Sequence, residues 1–188
     1  MSIKSIKTGF TGISALAGND QWFGDFEAIA SIVVGSGGTT DINFTSIPTT
    51  YTHLQLRGSL LGSSENQDYL MRVNGITAAN SYSRHELRGN GTSATANGTA
   101  NTSNFDFITN AAQTANPSVF IMDILDYANT NKYKTFRTIS GTDKNGSGSI
   151  SLQSALRLDT PAITSINIYA SAGNINANSI VALYGIRG

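Results

Sequence analysis

The stretch VFIMDILDYANTNKYKTFRTISGTDKNGSGSISLQSALRL, residues 119–158, decides the fold. Three strand patterns are separated by two clusters of turn residues. Ala128, Asn129, Thr130 and Asn131 lie between the first two, and Asn145-Gly146 lies between the second and third. Asn-Gly tolerates positive φ at both positions and is the strongest short hairpin signal. The third pattern alternates, with Ile150, Leu152, Leu156 and Leu158 set against Ser151, Gln153 and Arg157. Alternation of period two places each set on one face of a strand. The stretch therefore predicts a three-stranded antiparallel meander. Its first strand, Val119 to Asp126, is apolar on both faces and suits a central position.

The same signals recur on either side. Phe26 to Val34 reads as a strand. In Asp41 to Phe44, Ile42 and Phe44 share a face. Tyr51 to Arg57 turns Leu54 and Leu56 inward and His53, Gln55 and Arg57 outward. Asp68 to Asn74 groups Tyr69, Met71 and Val73. Tyr82 to Arg88 is more polar and suits a place near a sheet edge. Ile163 to Ala170 and Ser179 to Ile186 follow Thr160-Pro161, separated by a Gly173-Asn174 turn. About ten short strands without a long helical pattern predict an all-β fold, an antiparallel β-sandwich of jelly-roll-like form.

Two segments fall outside this pattern. Residues 1–25 carry apolar side chains, among them Phe10, Trp22 and Phe23, that follow neither the helical nor the strand period. They read as an extended N-terminal attachment arm ahead of a sandwich domain at residues 26–188. Trp22 and Phe23 suit either anchors in a partner's pocket or a plug closing one end of their own sandwich. The second segment, GNGTSATANGTANTSN at residues 89–104, is uncharged and reads as a long loop. Its Thr92, Thr95, Asn97, Thr99 and Asn101 offer hydrogen bonds to a polar surface, but no side chain large enough to drive burial.

Composition narrows the chemistry. The chain has 188 residues, no cysteine, and 12 basic against 12 acidic side chains. Thiol nucleophiles, disulfides and cysteine-based zinc sites are excluded. Charged residues are 13% of the chain, about half the average share, and Ser, Thr and Asn together make up about a third. The global basic balance of a nucleic-acid binder is missing. No apolar run reaches the length of a membrane span. The first residues, MSIKSIKTGFTGISALAG, lack the apolar core of a secretory signal.

No catalytic or metal-binding constellation emerges. His53 and His85 sit on outward strand positions. Ser83, His85 and Glu86 are too close along one strand to converge, because neighbours point to opposite faces. Asp123 and Asp126 do not form a glycosidase pair by the same geometry. The expectation is an Asp126 that holds a hairpin end and an Asp123 paired with a neighbour. DKNGSGS mimics the start of a calcium loop, but the twelfth position is Ser154 where a bidentate carboxylate is needed. The chain is expected to be no enzyme and to need no cofactor.

DILDYANTNKYKT (residues 123–135), SGTDKNGSGSISLQSAL, the closing VALYGIRG and FTSIPTTYTHLQLRG (residues 44–58) carry a resemblance. In these blocks and their order, residues 26–188 resemble small structural proteins of tailed bacteriophages, familiar from phages of cyanobacteria and aquatic bacteria. The resemblance implies a virion component, assembled in the host cytoplasm and released with the particle. It further implies a homo-oligomer, with a trimer as the favoured number, contacting other virion proteins. The expected role is an exposed tail-fibre or adhesin-type protein whose arm docks on the tail and whose loop meets a host-surface glycan. The alternative is a capsid-decorating cement protein, and a carbohydrate-binding module ranks third.

Overall fold

A computed structural model describes residues 25–188. These residues form twelve strands and no helix. In chain order they are β1 (Phe26–Val33), β2 (Asp41–Phe44), β3 (His53–Leu60), β4 (Gln67–Val73), β5 (Tyr82–Gly89) and β6 (Ala94–Thr102). Then follow β7 (Phe105–Ala112), β8 (Ser118–Leu125), β9 (Lys134–Asp143), β10 (Gly148–Arg157), β11 (Ile166–Ala170) and β12 (Ile180–Ile186). An eight-stranded sheet has the order β1-β12-β3-β8-β9-β10-β5-β6, and a four-stranded sheet the order β2-β11-β4-β7. Every pairing is antiparallel. The all-β sandwich expected from the period-two pattern is the fold.

The pairings nest. β5 pairs with β6, β4 with β7, β3 with β8, β2 with β11 and β1 with β12. Successive nested pairs lie alternately in the large and the small sheet. β9 and β10 are inserted after β8 and complete the meander.

The two sheets meet through aromatic side chains. Phe105 of β7 lies 4.7 Å, centroid to centroid, from Phe136 of β9. Phe107 of β7 meets Phe120 of β8 edge-on at 4.8 Å. Such tilted pairs contribute about 0.5–1.5 kcal/mol beyond the area they bury. Tyr82 of β5 reaches across to β4, where its hydroxyl accepts the Val73 amide at 3.0 Å. Leu54, Leu56, Ile42, Phe44, Tyr69, Met71 and Val73 are buried, on the faces that the alternation assigns them.

One expectation is corrected and two are made more specific. The meander forms as expected, but its third strand faces the other way from an ordinary amphipathic strand. Ile150 and Leu152 are 64% and 48% exposed, whereas Ser151 and Gln153 are 5% and 2% exposed. β8 is central, yet only one of its apolar faces is covered, since Val119, Ile121 and Leu125 remain exposed. Residues 89–104 are not a loop. They form a turn at Asn90–Ser93 and then β6, the outer edge strand of the large sheet. Pairing with β5 satisfies the backbone of β6 along one side, and that suffices without large side chains. Of the arm expected at residues 1–25, residues 1–24, with Phe10, Trp22 and Phe23, lie outside the described residues.

Candidate functional site

The side chains singled out for chemistry are engaged in holding turns and strands. His53 Nδ1 accepts the Asp126 amide at 2.9 Å, at the end of β8. Asp126 has a positive φ of 49°, and its carboxylate takes a hydrogen bond from Lys132. That bond is the main reason its carboxyl lies below the usual range. Asp123 accepts from Gln55 Nε2 at 2.7 Å and from Arg137 Nη2 at 3.1 Å, the neighbour pairing expected of it. Asp143 Oδ1 accepts the Asn145 amide at 2.8 Å, and Lys144 N donates to Ser147 O at 2.8 Å. The calcium-like run is thus a hairpin turn. Among the described residues no three His, Asp or Glu side chains group closely enough to hold a metal ion.

A cluster the sequence reading does not single out lies between the sheets. Arg84 and Glu86 of β5 face inward. Arg84 Nε donates to Asp106 of β7, and Arg84 Nη1 approaches Glu86 Oε2 at 3.5 Å. Glu86 Oε1 accepts from Thr109 of β7 and from Gln153 Nε2 at 3.3 Å. Nearby, Ser140 and Ser151 share a hydrogen bond at 2.8 Å, and Ser118 and Thr142 one at 2.6 Å. The alternation Arg84-x-Glu86 was the available signal, but nothing local marks Asp106 and Thr109 as its partners. With the carboxylates engaged by Arg84, Thr109 and Gln153, the cluster fastens β7 to the large sheet.

Burial pushes the Asp106 carboxyl above its usual range, and Arg84 only partly opposes it. A raised folded-state value means that the native chain holds this proton more tightly than the unfolded chain. The associated stability is present below the ordinary carboxylate range and is lost as pH rises through Asp106's own value. The unfolding free energy of the wild type is therefore expected to fall, relative to Asp106→Asn, between acid and neutral pH. Urea titrations of both proteins at stepped pH measure it. A difference that stays constant, or grows with pH, would contradict the raised value.

The outward face of the large sheet has a different character. Ile121, Ile139, Leu152 and Leu87 stand directly opposite one another on β8, β9, β10 and β5. In the adjacent row, Val119, Gly141, Ile150 and Gly89 are opposite one another on the same four strands. The glycines leave a trough of about 920 Å³ beside the aliphatic side chains, lined along the turn end of the strands by Asn90, Gly91 and residues of the β9–β10 turn. One row further, the face turns polar, with Asp123 opposite Arg137 and Ser154 opposite His85. A contiguous exposed apolar area of this kind marks an interaction surface. It is the candidate functional site.

No family model, curated protein or solved structure matches this chain.

The polar residues expected to make contacts lie at the sheet edge, with Thr95, Asn97 and Thr99 on the reverse side from this face. Thr92 belongs to the turn, where Asn90 Oδ1 accepts its amide at 3.0 Å and its hydroxyl at 2.9 Å. Thr95, Asn97 and Thr99 alternate along β6 opposite Arg88, Glu86 and Arg84. Asn101 adopts a φ of 59° where the β5–β6 register shifts. All five are exposed. The other face of β6 carries only Ala94, Ala96, Gly98 and Ala100.

Proposed function

We propose that this chain is a homo-oligomeric structural protein of a tailed-bacteriophage virion, displayed on the particle surface as a tail-fibre or adhesin-type component. The observation that carries the reading is the aliphatic outer face of the large sheet. Such a face suits contact with protein far better than recognition of a charged small molecule. The nested strand pairing supports a jelly-roll-like ribbon, a form used by many assembling β-proteins. The blocks that resemble phage structural proteins lie on β3, the end of β8, β9, β10 and β12, and of these β9 and β10 contribute Gly141, Ile150 and Leu152 to this face. In this reading residues 1–24 attach the protein, and the exposed Thr and Asn side chains of β6 meet a polar surface such as a host glycan.

The cement-protein reading is favoured by one feature. Among the described residues the twelve strands form one sandwich, with no shaft to extend a fibre. Antibody labelling of intact particles separates the two. Label at the tail is expected, and label spread over the shell would move the protein to the head. Particles that carry no label would overturn both. Deleting residues 1–24 is expected to leave a folded protein that no longer joins particles. Replacing residues 90–93 with a two-residue turn is expected to leave incorporation intact.

A further inference from the structure

We propose that the aliphatic face of the eight-stranded sheet is a homotypic interface, on which a second copy of this chain packs face to face about a two-fold axis. The proposal rests on the homo-oligomeric part of the reading above and is independent of the virion part.

The first argument is the inverted alternation. A sheet with one covered face normally turns its large aliphatic side chains toward the core. Over the distal half of the meander the reverse holds. Ser140, Ser151 and Gln153 point inward, and Ile139, Ile150 and Leu152 point outward. The inward small polar groups are hydrogen-bonded to one another across strands. Register is held elsewhere, by Phe120, Met122, Ile124 and Phe136 beneath the sheet and by the Asn145-Gly146 turn. A slip of one residue would bury these aliphatics against the small sheet but expose that aromatic core. In the isolated chain the outward aliphatics stay in water, and they gain burial only from a partner.

The second argument is shape. One row is a ridge of four aliphatic side chains. The adjacent row alternates side chain and gap, as Val119, Gly141, Ile150 and Gly89. A two-fold operator sets each patch on its own copy, so knobs of one subunit meet gaps of the other. Sheets pack face to face by such interdigitation at a spacing of ~10 Å.

The third argument is charge. In these two rows the only charged side chain is Arg57 on β3, and its guanidinium lies over the Phe26 ring, 4.9 Å from the centroid. Face-to-face packing therefore brings no block of like charges together. The same neutrality disfavours nucleic acid, which needs a basic surface, and an anionic membrane, which needs a basic rim.

The fourth argument is area. Strands ~4.8 Å apart and same-face rows ~7 Å apart give the two rows ~270 Å² on the four aliphatic strands, and ~500 Å² per copy where the contact extends over the flanking β3, β12, β1 and β6. Two copies bury ~1,000 Å², the lower bound for a specific interface before side-chain relief is added. Ala94 and Ala96 of β6 put no large side chain at the edge of the face. An isologous two-fold contact closes with two copies, so this contact gives a dimer and not the trimer implied by the resemblance.

The full chain and an Ile139→Glu/Leu152→Glu variant are compared by sedimentation equilibrium over a concentration series up to ~100 µM. The wild type is expected to be a dimer. The variant is expected to dissociate at least ~100-fold more weakly bound, with an unchanged circular dichroism spectrum, because both side chains are exposed in the single chain. His85→Glu, on the polar part of the same face, serves as a control and is expected to dimerise as the wild type does. A second route avoids charge: Ile139→Ser/Leu152→Ser should also weaken the dimer and keeps the test valid if the glutamates disturb folding. A wild type that stays monomeric overturns the proposal, as does a trimer, or a dimer that survives both variants. Loss of the dimer on deleting residues 1–24, with the face variants still dimeric, would assign self-association to the arm instead. Particle labelling is a separate measurement, so failure of the dimer and failure of the virion reading are distinguishable.

Discussion

Replacing Lys134 with methionine is expected to lower the unfolding free energy by about 3–5 kcal/mol. Lys134 is fully buried at the start of β9. Its ammonium donates to the carbonyls of Asn129, Lys132 and Thr160, the last two at 2.9 and 2.7 Å. Three donors meet three acceptors, which is all an ammonium can offer. The acceptors belong to different parts of the chain. Asn129 and Lys132 lie in the β8–β9 connection, and Thr160 lies in the segment that leaves β10. Burial lowers the lysine's pKa, so holding the charge has a cost. Methionine removes that cost but leaves the carbonyls, which are backbone and cannot be deleted. Each part-buried acceptor left unpaired costs up to about 1–3 kcal/mol, and water entering the site recovers part of it. The loss should therefore exceed the gain. Chemical denaturation measures it, with the midpoint shifted and the slope unchanged. A shift worth less than about 1 kcal/mol would mean that the carbonyls find other donors.

The contrast between Lys134 and Ile150 shows where sequence reading succeeds and where it stops. Period two tells which residues share a face. It correctly groups Leu54 with Leu56, and Tyr69 with Met71 and Val73. It does not tell which face meets the core when both are candidates. On β10 the aliphatic set lies outward, while on the inner side Glu86 gathers Thr109 and Gln153. Those contacts join residues far apart in sequence, and no local pattern reports them. Lys134 falls between a turn and an apolar run, where a lysine ordinarily faces water. Only the convergence of two connections makes it interior. β6 was hidden for a different reason. Its sequence alternates Ala or Gly with Thr or Asn, a period-two signal of small amplitude, and the missing large side chains made it look like a linker. The nested order of strands was also invisible locally, because the hairpin signal pairs neighbours only.

The site was legible in part. Each outward aliphatic of the meander was identified as a strand residue, and the outward direction of His53, Gln55 and Arg57 was read correctly. What the sequence could not supply was the alignment of Ile121, Ile139, Leu152 and Leu87 across four strands. That alignment follows from registers set by turns and by the core beneath. Four separate unremarkable residues become a surface only after those registers are fixed.

The second large effect is expected at Gly148, and the nearby Gly146 makes it interpretable. Both have positive φ, 147° at Gly148 and 100° at Gly146, a region that disfavours any side chain. At Gly146 a Cβ would meet nothing within 4 Å. Alanine there costs only backbone strain, about 1–2 kcal/mol. At Gly148 the Cβ would press into the Thr142 carbonyl oxygen and lie 3.2 Å from the Asp143 Cα. Both obstacles are backbone of the partner strand β9, so neither can rotate away. Relief requires opening the β9–β10 ladder at its turn end, where Gly148 pairs with Asp143 and Ser149 with Thr142. Gly148→Ala is therefore expected to cost about 3–4 kcal/mol, roughly twice the loss at Gly146→Ala. The damage should spread to the aliphatic face, because Ile150 is held by the same ladder two residues away. Amide exchange at Ile150 and Gly141 is expected to accelerate in Gly148→Ala and to stay near wild type in Gly146→Ala. Equal losses in the two variants, with exchange unchanged in both, would mean that strain in φ sets the cost and that the close approach to β9 does not.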